Sequence, residues 1–387
     1  MKRIGVFDFW HNYKLCFSWS MANILSDRFE IIYFITSDFS HDSSKFKVVR
    51  LPLKWPEKTT LKTCFRLPFS IYEAISSRRI VKKYNLNSIY FAFDHPLLVF
   101  FSFKNIPLLN TVHEFDNRQG IISLLNNSCT TLNLSVCNAV VVMNPKYKEI
   151  FEKQKKKYLY FPHPYFIVPS KTNENIHSPL KFLFFGKIRA DKGLDILLDA
   201  LNQLKDMGCK YSLTVAGVGD MNTYRLRIQL LGKSVKVINR FLEDNEILNL
   251  IYSHDIAILP YRSATQSGVA TLCNSCGMPL IASDLKELKN NIHNKSTGLS
   301  FRTGDTASLV DRLNYVIDNP SLIEKFRENI FINRNIIEAT IQKKFHVFLN
   351  NFSYDRENME SGKFVSKRVF DKSISHKLAK LVQNIEK

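Results

Sequence analysis

Residues 181–200 read KFLFFGKIRADKGLDILLDA. The apolar run Phe182–Phe185 ends at Gly186, Lys187 follows at once, and Lys192 and Gly193 come five residues later. Leu194, Ile196, Leu197 and Leu198 then open a helical apolar pattern. The order predicts a buried strand, a glycine turn and a helix, with two ammonium groups at the turn. Such a turn offers backbone N–H groups and a helix N-terminus to an anion, and a phosphate fits that chemistry. The same spacing also describes an ordinary strand–helix turn with two solvated lysines.

Two further turns follow on the same plan. Leu213–Ala216 runs into Gly217-Val218-Gly219-Asp220, a strand ending in G-x-G. A dinucleotide fingerprint needs a third glycine three positions after Gly219; Asn222 stands there, which disfavours a nicotinamide or flavin site. Leu259-Pro260 leads into Tyr261-Arg262-Ser263-Ala264-Thr265-Gln266-Ser267-Gly268-Val269. Ser267 suits a helix N-cap, and the loop also suits an N–H nest for a diphosphate. With lysines to neutralise charge, that site requires no metal, and no Asp-x-Asp pair is present.

The rest of the chain alternates short β-type runs with helical ones. The first half predicts strands at Arg3–Phe9, Glu30–Thr36, Phe46–Leu51, Ser88–Phe93, Pro107–Val112, Ala139–Met143 and Tyr158–Phe161, with helices at Leu15–Leu25 and Ile71–Tyr84. The second half predicts strands at Phe182–Phe185, Ser212–Ala216, Val235–Ile238, Ile256–Leu259, Leu280–Ala282 and Gly298–Phe301. The expected fold is α/β: two Rossmann-like, doubly wound domains facing across a cleft. The predicted boundaries are residues 1–165, a proline-bearing linker 166–180, a second domain 181–335, and a helical tail 336–387 packing back on the first domain, with a polar break around Ser353 to Gly362.

Composition narrows the function classes. At 387 residues the chain exceeds one typical core. No apolar run reaches the ~18 residues of a membrane span, and Met1-Lys2-Arg3 opens a strand rather than a signal peptide. The net charge of +19 attracts anionic surfaces, but no nucleic-acid-binding motif accompanies it. Lys153, Lys155, Lys156 and Lys157 read either as a solvated helix end or as a membrane contact. Seven scattered cysteines indicate free thiols in a reducing compartment, and Cys273-x-x-Cys276 reads as buried packing.

The motif set in the second half resembles the donor domain of retaining glycosyltransferases of family 4, which have the two-domain GT-B fold. It comprises Gly186-Lys187 with Lys192-Gly193, Ala216-Gly217-Val218-Gly219, Ser253-His254-Asp255 before Ile256–Pro260, Gly277-Met278-Pro279, and Ser296-Thr297-Gly298 with Gly304-Asp305. The resemblance covers roughly residues 181–330. It implies transfer of a sugar, with retained configuration, from a nucleoside-diphosphate donor to a saccharide or lipid-linked saccharide. It implies no cofactor.

By the same resemblance Gly186, Lys187, Lys192, Gly217, Gly219, Ser267, Gly268 and Val269 hold the donor, with Arg240 and Phe241 beside its base. Lys187 stands where the family usually has arginine. His113, at the end of Pro107–Val112, is implied to orient donor and acceptor. His11, Glu114, Asp116 and His163 fall on the acceptor side. Many relatives carry a Glu-x7-Glu pair; those positions here are Ala264 and Leu272. The loop instead resembles the Thr-Gln-Ser-Gly-Val subgroup of polysaccharide-assembly enzymes. The implied setting is bacterial surface-polysaccharide assembly, cytoplasmic and peripheral at the inner membrane face. The rival readings are a nucleotide-sugar epimerase of related fold and an inactive glycosyltransferase-like partner subunit.

Overall fold

In the computed structural model the described residues are 1–9, 16–36, 43–53, 61–95, 97–103, 105–113, 132–153, 156–169, 175–264, 267–288, 291–292 and 296–360. The first half runs β1 (Arg3–Asp8), α1 (Phe17–Ser26), β2 (Glu30–Ile35), β3 (Lys47–Arg50), α2 (Leu61–Lys82), β4 (Ser88–Phe91), β5 (Leu108–Val112), β6 (Ala139–Val142), α3 (Pro145–Lys153) and β7 (Tyr158–Tyr160). The second runs β8 (Leu180–Phe185), α4 (Leu194–Asp206), β9 (Tyr211–Ala216), α5 (Arg225–Leu231), β10 (Val235–Ile238), α6 (Asp244–Tyr252), β11 (Ile256–Leu259), α7 (Gly268–Ser275), β12 (Leu280–Ser283), β13 (Gly298–Phe301), α8 (Thr306–Asp318) and α9 (Leu322–Glu360).

Two parallel sheets result, ordered β3-β2-β1-β4-β5-β6-β7 and β10-β9-β8-β11-β12-β13. Each sheet forms one Rossmann-like half of the expected two-domain GT-B fold. In each, the strand order reverses beside the first strand, between β1 and β4 and between β8 and β11. Such a switch point opens a crevice at the strand C-termini. Strands covered on both faces read as unbroken apolar runs, which is why Phe182–Phe185 and Ile256–Leu259 carry no polar alternation. The first core stacks aromatics: the Phe7 ring lies 4.6 Å from Phe34 and 4.7 Å from Phe91. The second is mainly aliphatic, with Leu194, Leu197, Leu201 and Leu204 of α4 buried against Phe182, Leu213, Val215 and Ile258.

The polar tract between the sheets is tied down at both described ends. Phe166 is already buried in the second core, and its N–H donates to Ser275 Oγ at 2.7 Å. Further on, the buried Asp255 carboxylate accepts from the backbone N–H of His177 at 3.1 Å and of Lys181 at 2.8 Å. The second half of Ser253-His254-Asp255 therefore anchors the N-terminal end of β11.

The chain divides into a unit Met1–Lys344 and a unit Phe345–Lys387. Within the first unit, α9 touches both halves. Asn329 donates to Ser296 O at 2.8 Å in the second half, Asn333 donates to the Tyr165 hydroxyl at 3.2 Å, and Gln342 donates to Ile24 O at 2.9 Å while accepting from Arg28 Nε at 3.0 Å. Its helix passes through Ser353 to Glu360 without the break expected there. No helix among the described residues is long and apolar enough to cross a membrane.

Candidate active site

The three glycine turns of the second half meet at its switch point. A Cβ at Gly217 would sit 1.8 Å from Gly186 O, and one at Gly219 2.1 Å from Ile188 O. A Cβ at Gly193 would sit 1.8 Å from Pro260 O. The turns after β8, β9 and β11 thus touch backbone to backbone, closer than any side chain permits. Gly186 faces α7, its Cβ position 3.2 Å from Val269 Cγ2. Gly217 N–H donates to Ile238 O at 2.9 Å, and Gly219 exchanges bonds of 3.3 and 3.1 Å with the Asn239 amide. The G-x-G here serves close approach, and its own N–H groups are engaged by the neighbouring strand end.

Lys192 lies in a short 3₁₀ turn, Ala190–Lys192, closed by Gly193 at φ 67°. Its ammonium sits 3.9 Å above the centre of the buried Tyr261 ring and 3.6 Å from Asp191. Burial lowers its pKa, and Asp191 opposes that fall. Tyr261 hydrogen-bonds Ser267, whose Oγ caps α7 by accepting from Ala270 N–H at 3.1 Å. Burial holds the Tyr261 phenol well above its ordinary range. One cation, one aromatic face and one helix N-terminus are therefore joined in sequence. Lys187 is exposed at the mouth of the same turn. Gly268 is exposed and Val269 half-buried, while Thr265 and Gln266 lie outside the described residues.

Arg262 fixes this turn, and the sequence reading missed it. Its guanidinium reaches Asp195 Oδ1 at 2.8 Å, Asp195 Oδ2 at 2.5 Å and Ala190 O at 2.8 Å. Its backbone N–H donates to Asp191 O at 2.9 Å. The Arg262 bonds hold the Asp195 carboxyl below its ordinary range. A charged residue three positions past a buried strand was a usable signal; its partner, 67 residues away, was not.

Arg240 and Phe241 follow β10. Arg240 pairs with Glu246 at 2.6 and 3.0 Å, which draws that carboxyl down to about 2, and Phe241 is exposed. The Glu-x7-Glu positions carry no charge to the site: Leu272 is buried in the second core and Ala264 packs against it. Cys273 and Cys276 lie in that core as free thiols raised by burial, Cys276 to about 12.

In the first half, His113 follows β5. Its ring stacks on Phe93 at 4.4 Å and meets Phe17 edge-on at 4.9 Å, and Nε2 donates to Ala92 O at 2.9 Å. His163 meets the same Phe17 at 5.2 Å and Phe166 at 5.4 Å. Burial pushes its imidazole down to about 4, against the pull of the Pro164 carbonyl. Phe17 thus joins the two histidines. His11, Glu114 and Asp116 lie outside the described residues. Lys156 departs from both readings of the lysine cluster, turning inward to donate to Leu134 O at 2.7 Å and to Cys137 O, while Lys153 and Lys157 are exposed.

Among the described residues no three His, Cys, Asp or Glu side chains converge as metal ligands. Fold and site together define a two-domain protein whose second half gathers a lysine, a tyrosine ring and a helix N-terminus at its switch point. Residues 179–319 match the family model described as glycosyl transferases group 1. The chain is similar to glycogen synthase of Mycobacterium tuberculosis (strain CDC 1551 / Oshkosh), 24% identical over 248 residues, 60% of this chain and 59% of that protein. It thus spans about three-fifths of that relative's length. It is 29% identical to the alpha-D-kanosaminyltransferase of Streptomyces kanamyceticus over 152 residues, 38% of this chain and 39% of that one. Among solved structures it resembles Anabaena Alr3699/HepE in complex with UDP, with TM-score 0.59 and 14% identity over 91% of this chain and 100% of that one.

Proposed function

We propose that this chain is a retaining glycosyltransferase. It moves a sugar from a nucleoside-diphosphate donor to a saccharide or lipid-linked saccharide acceptor, in bacterial surface-polysaccharide assembly. The observation that carries the reading is Lys192, seated on Tyr261 beside the N-terminus of α7 in the segment that matches the family. In this reading Lys192 and Lys187 neutralise the donor diphosphate, and Ser267, Gly268 and Val269 present the helix end to it. Arg240 and Phe241 flank the base.

The acceptor oxygen bonds to the anomeric carbon as the bond from that carbon to the phosphate oxygen breaks. The acceptor proton passes to the departing phosphate, so no strong protein base is required. Metal ion and cofactor are unnecessary, because lysines and helix dipoles supply the positive charge. His113, held by Phe93, Phe17 and the Ala92 carbonyl, orients donor and acceptor hydroxyls, with His163 behind it. The protein acts in the cytoplasm, peripheral at the inner membrane face.

A thermal-shift panel of UDP-, GDP-, ADP-, dTDP- and CMP-sugars identifies the donor. With that donor, Lys192→Ala lowers transfer by about 100-fold, the scale of one lost transition-state donor. Wild-type rates in the variant would sink the phosphate assignment. The apolar pair Ala264 and Leu272 supports a second reading, an inactive partner subunit. Tight donor binding without turnover on any acceptor would favour it, and donor conversion without an acceptor would favour an epimerase.

A further inference from the structure

From Phe69 onward, helix α2 places serines inside and large apolar side chains outside. Its buried face carries Ser70, Ala74 and Ser77, each fully buried, and Val81, 1% exposed. Its outer face carries Phe69 at 70%, Tyr72 at 71% and Ile75 at 41% exposure. The spacing i, i+3, i+6 places those three on one side of the helix. Neither serine hydroxyl has a hydrogen-bond partner among the described residues. A helix whose only task is to cover the first sheet turns its large apolar side chains inward and its serines out. Here Ser70 and Ser77 face in and Phe69, Tyr72 and Ile75 face out, with only Ala74, Ile80 and Val81 of the described apolar residues packing on the core, so the outer face is shaped for a medium other than water.

The same face names the medium. Beyond Ile75 it continues into Arg79 and Lys82, followed by Lys83, all exposed. Phenylalanine, tyrosine and isoleucine flanked by long basic side chains are the composition of a helix lying in a lipid interface: apolar rings enter the acyl boundary and ammonium groups reach the phosphates. The net charge of +19 gives the whole chain an attraction to anionic surfaces. Glu73, half-buried at the edge of the face, is the acidic residue nearest to it along the helix.

We infer that the outer face of α2, centred on Phe69, Tyr72 and Ile75 and continued by Arg79, Lys82 and Lys83, docks this protein on an anionic lipid bilayer. The inference deepens the peripheral-membrane reading proposed above and rests on it. It assigns the contact to one face, with the apolar side chains supplying insertion and the basic ones supplying lipid selectivity.

The test is flotation of the full chain with vesicles of phosphatidylcholine, alone or with about 30 mol% phosphatidylglycerol. Wild-type protein floats with the anionic vesicles and loses most of that binding near 0.5 M salt. Phe69→Ser/Tyr72→Ser and, separately, Arg79→Glu/Lys82→Glu each weaken it by about 10-fold or more, with melting temperatures unchanged. Phe69→Ser alone serves if the double variant does not fold. Wild-type protein that ignores anionic vesicles overturns both the inference and the membrane reading. Vesicle binding that survives either double variant overturns the α2 assignment and leaves the membrane reading standing. A wild-type dimer in sedimentation that Phe69→Ser/Tyr72→Ser splits into monomers overturns it too, because a second copy then covers the face.

Discussion

The two sheets share one strand order as far as their sixth strand, with the reversal beside β1 in one and beside β8 in the other, but their switch points are made of different materials. The second is assembled from backbone: three glycine turns in contact, with one half-buried lysine set against a tyrosine ring. The first is assembled from rings: Phe17 and Phe93 enclose His113, and Phe17 passes the contact on to His163. Backbone contacts leave no alternative residue at the point of contact, whereas ring contacts tolerate another ring of similar volume. The difference explains why the second half announces its site in glycines and the first half does not.

Glycine substitutions break this comparison most sharply. Gly217 has φ 141° and a Cβ position 1.8 Å from a main-chain oxygen. Gly217→Ala is expected to cost more than about 3 kcal/mol, through backbone strain and displacement of the Gly186 turn. Gly5, in β1, is the control. Its Cβ would meet Leu86 Cδ1 at 2.6 Å, the far end of a side chain that can rotate away. Gly5→Ala is expected to cost about 1–2 kcal/mol. Thermal melts of the two variants decide it, and equal losses would refute the distinction between backbone-built and side-chain-built contacts.

Strand positions were legible because strands buried on both faces leave apolar runs bounded by polar residues. Each of the strands expected from the sequence is present, with no end shifted by more than two residues and Val235–Ile238, Ile256–Leu259 and Gly298–Phe301 unshifted. Helices without an apolar stripe were less legible. The start of α2 at Leu61 was missed by ten residues, because Leu61–Ser70 includes Pro68 and shows no helical period. α3 was legible only at its lysine-rich end, because its described side chains bury little beyond Tyr147 and Phe151. Site residues split along the same line. Gly186, Lys192, Gly217 and Ser267 lie in local motifs, whereas the Lys192–Tyr261 and Asp195–Arg262 contacts exist only because β8 lies beside β11. Nothing local in a sequence reports that adjacency.

Arg262 sharpens the comparison at an intermediate scale. Its pair with Asp195 is partly exposed, so it contributes below about 1 kcal/mol to stability. Its guanidinium also holds Ala190 O, in the turn that carries Lys192, beside a backbone bond to Asp191 O that any residue here keeps. Arg262→Ala is therefore expected to lower donor turnover by about 10-fold through misplacement of that ammonium, with the melting temperature nearly unchanged. Arg262→Lys recovers little, because an ammonium cannot span both carboxylate oxygens and the carbonyl together. A variant that melts early and turns over normally would make Arg262 a stability residue and nothing more.

The ring-built end carries a pH signature of its own. His163 is held near 4 by burial, while an unfolded histidine takes up its proton near 6.5. Above about 6.5 both states are neutral and the full contribution is present; as pH falls through that value toward 4, the unfolded chain binds the proton first and stability is lost. His163→Phe keeps an aromatic ring against Phe17 and Phe166 and removes the proton site. Melting temperatures of the two proteins are expected to converge, in the variant's favour, between pH 7 and pH 4.5, since carboxylate titrations are common to both. Parallel curves over that range would place the acid sensitivity elsewhere, with His254 of the backbone-built half the first residue to examine: burial lowers it too, but the Leu250 carbonyl at 2.7 Å opposes the shift.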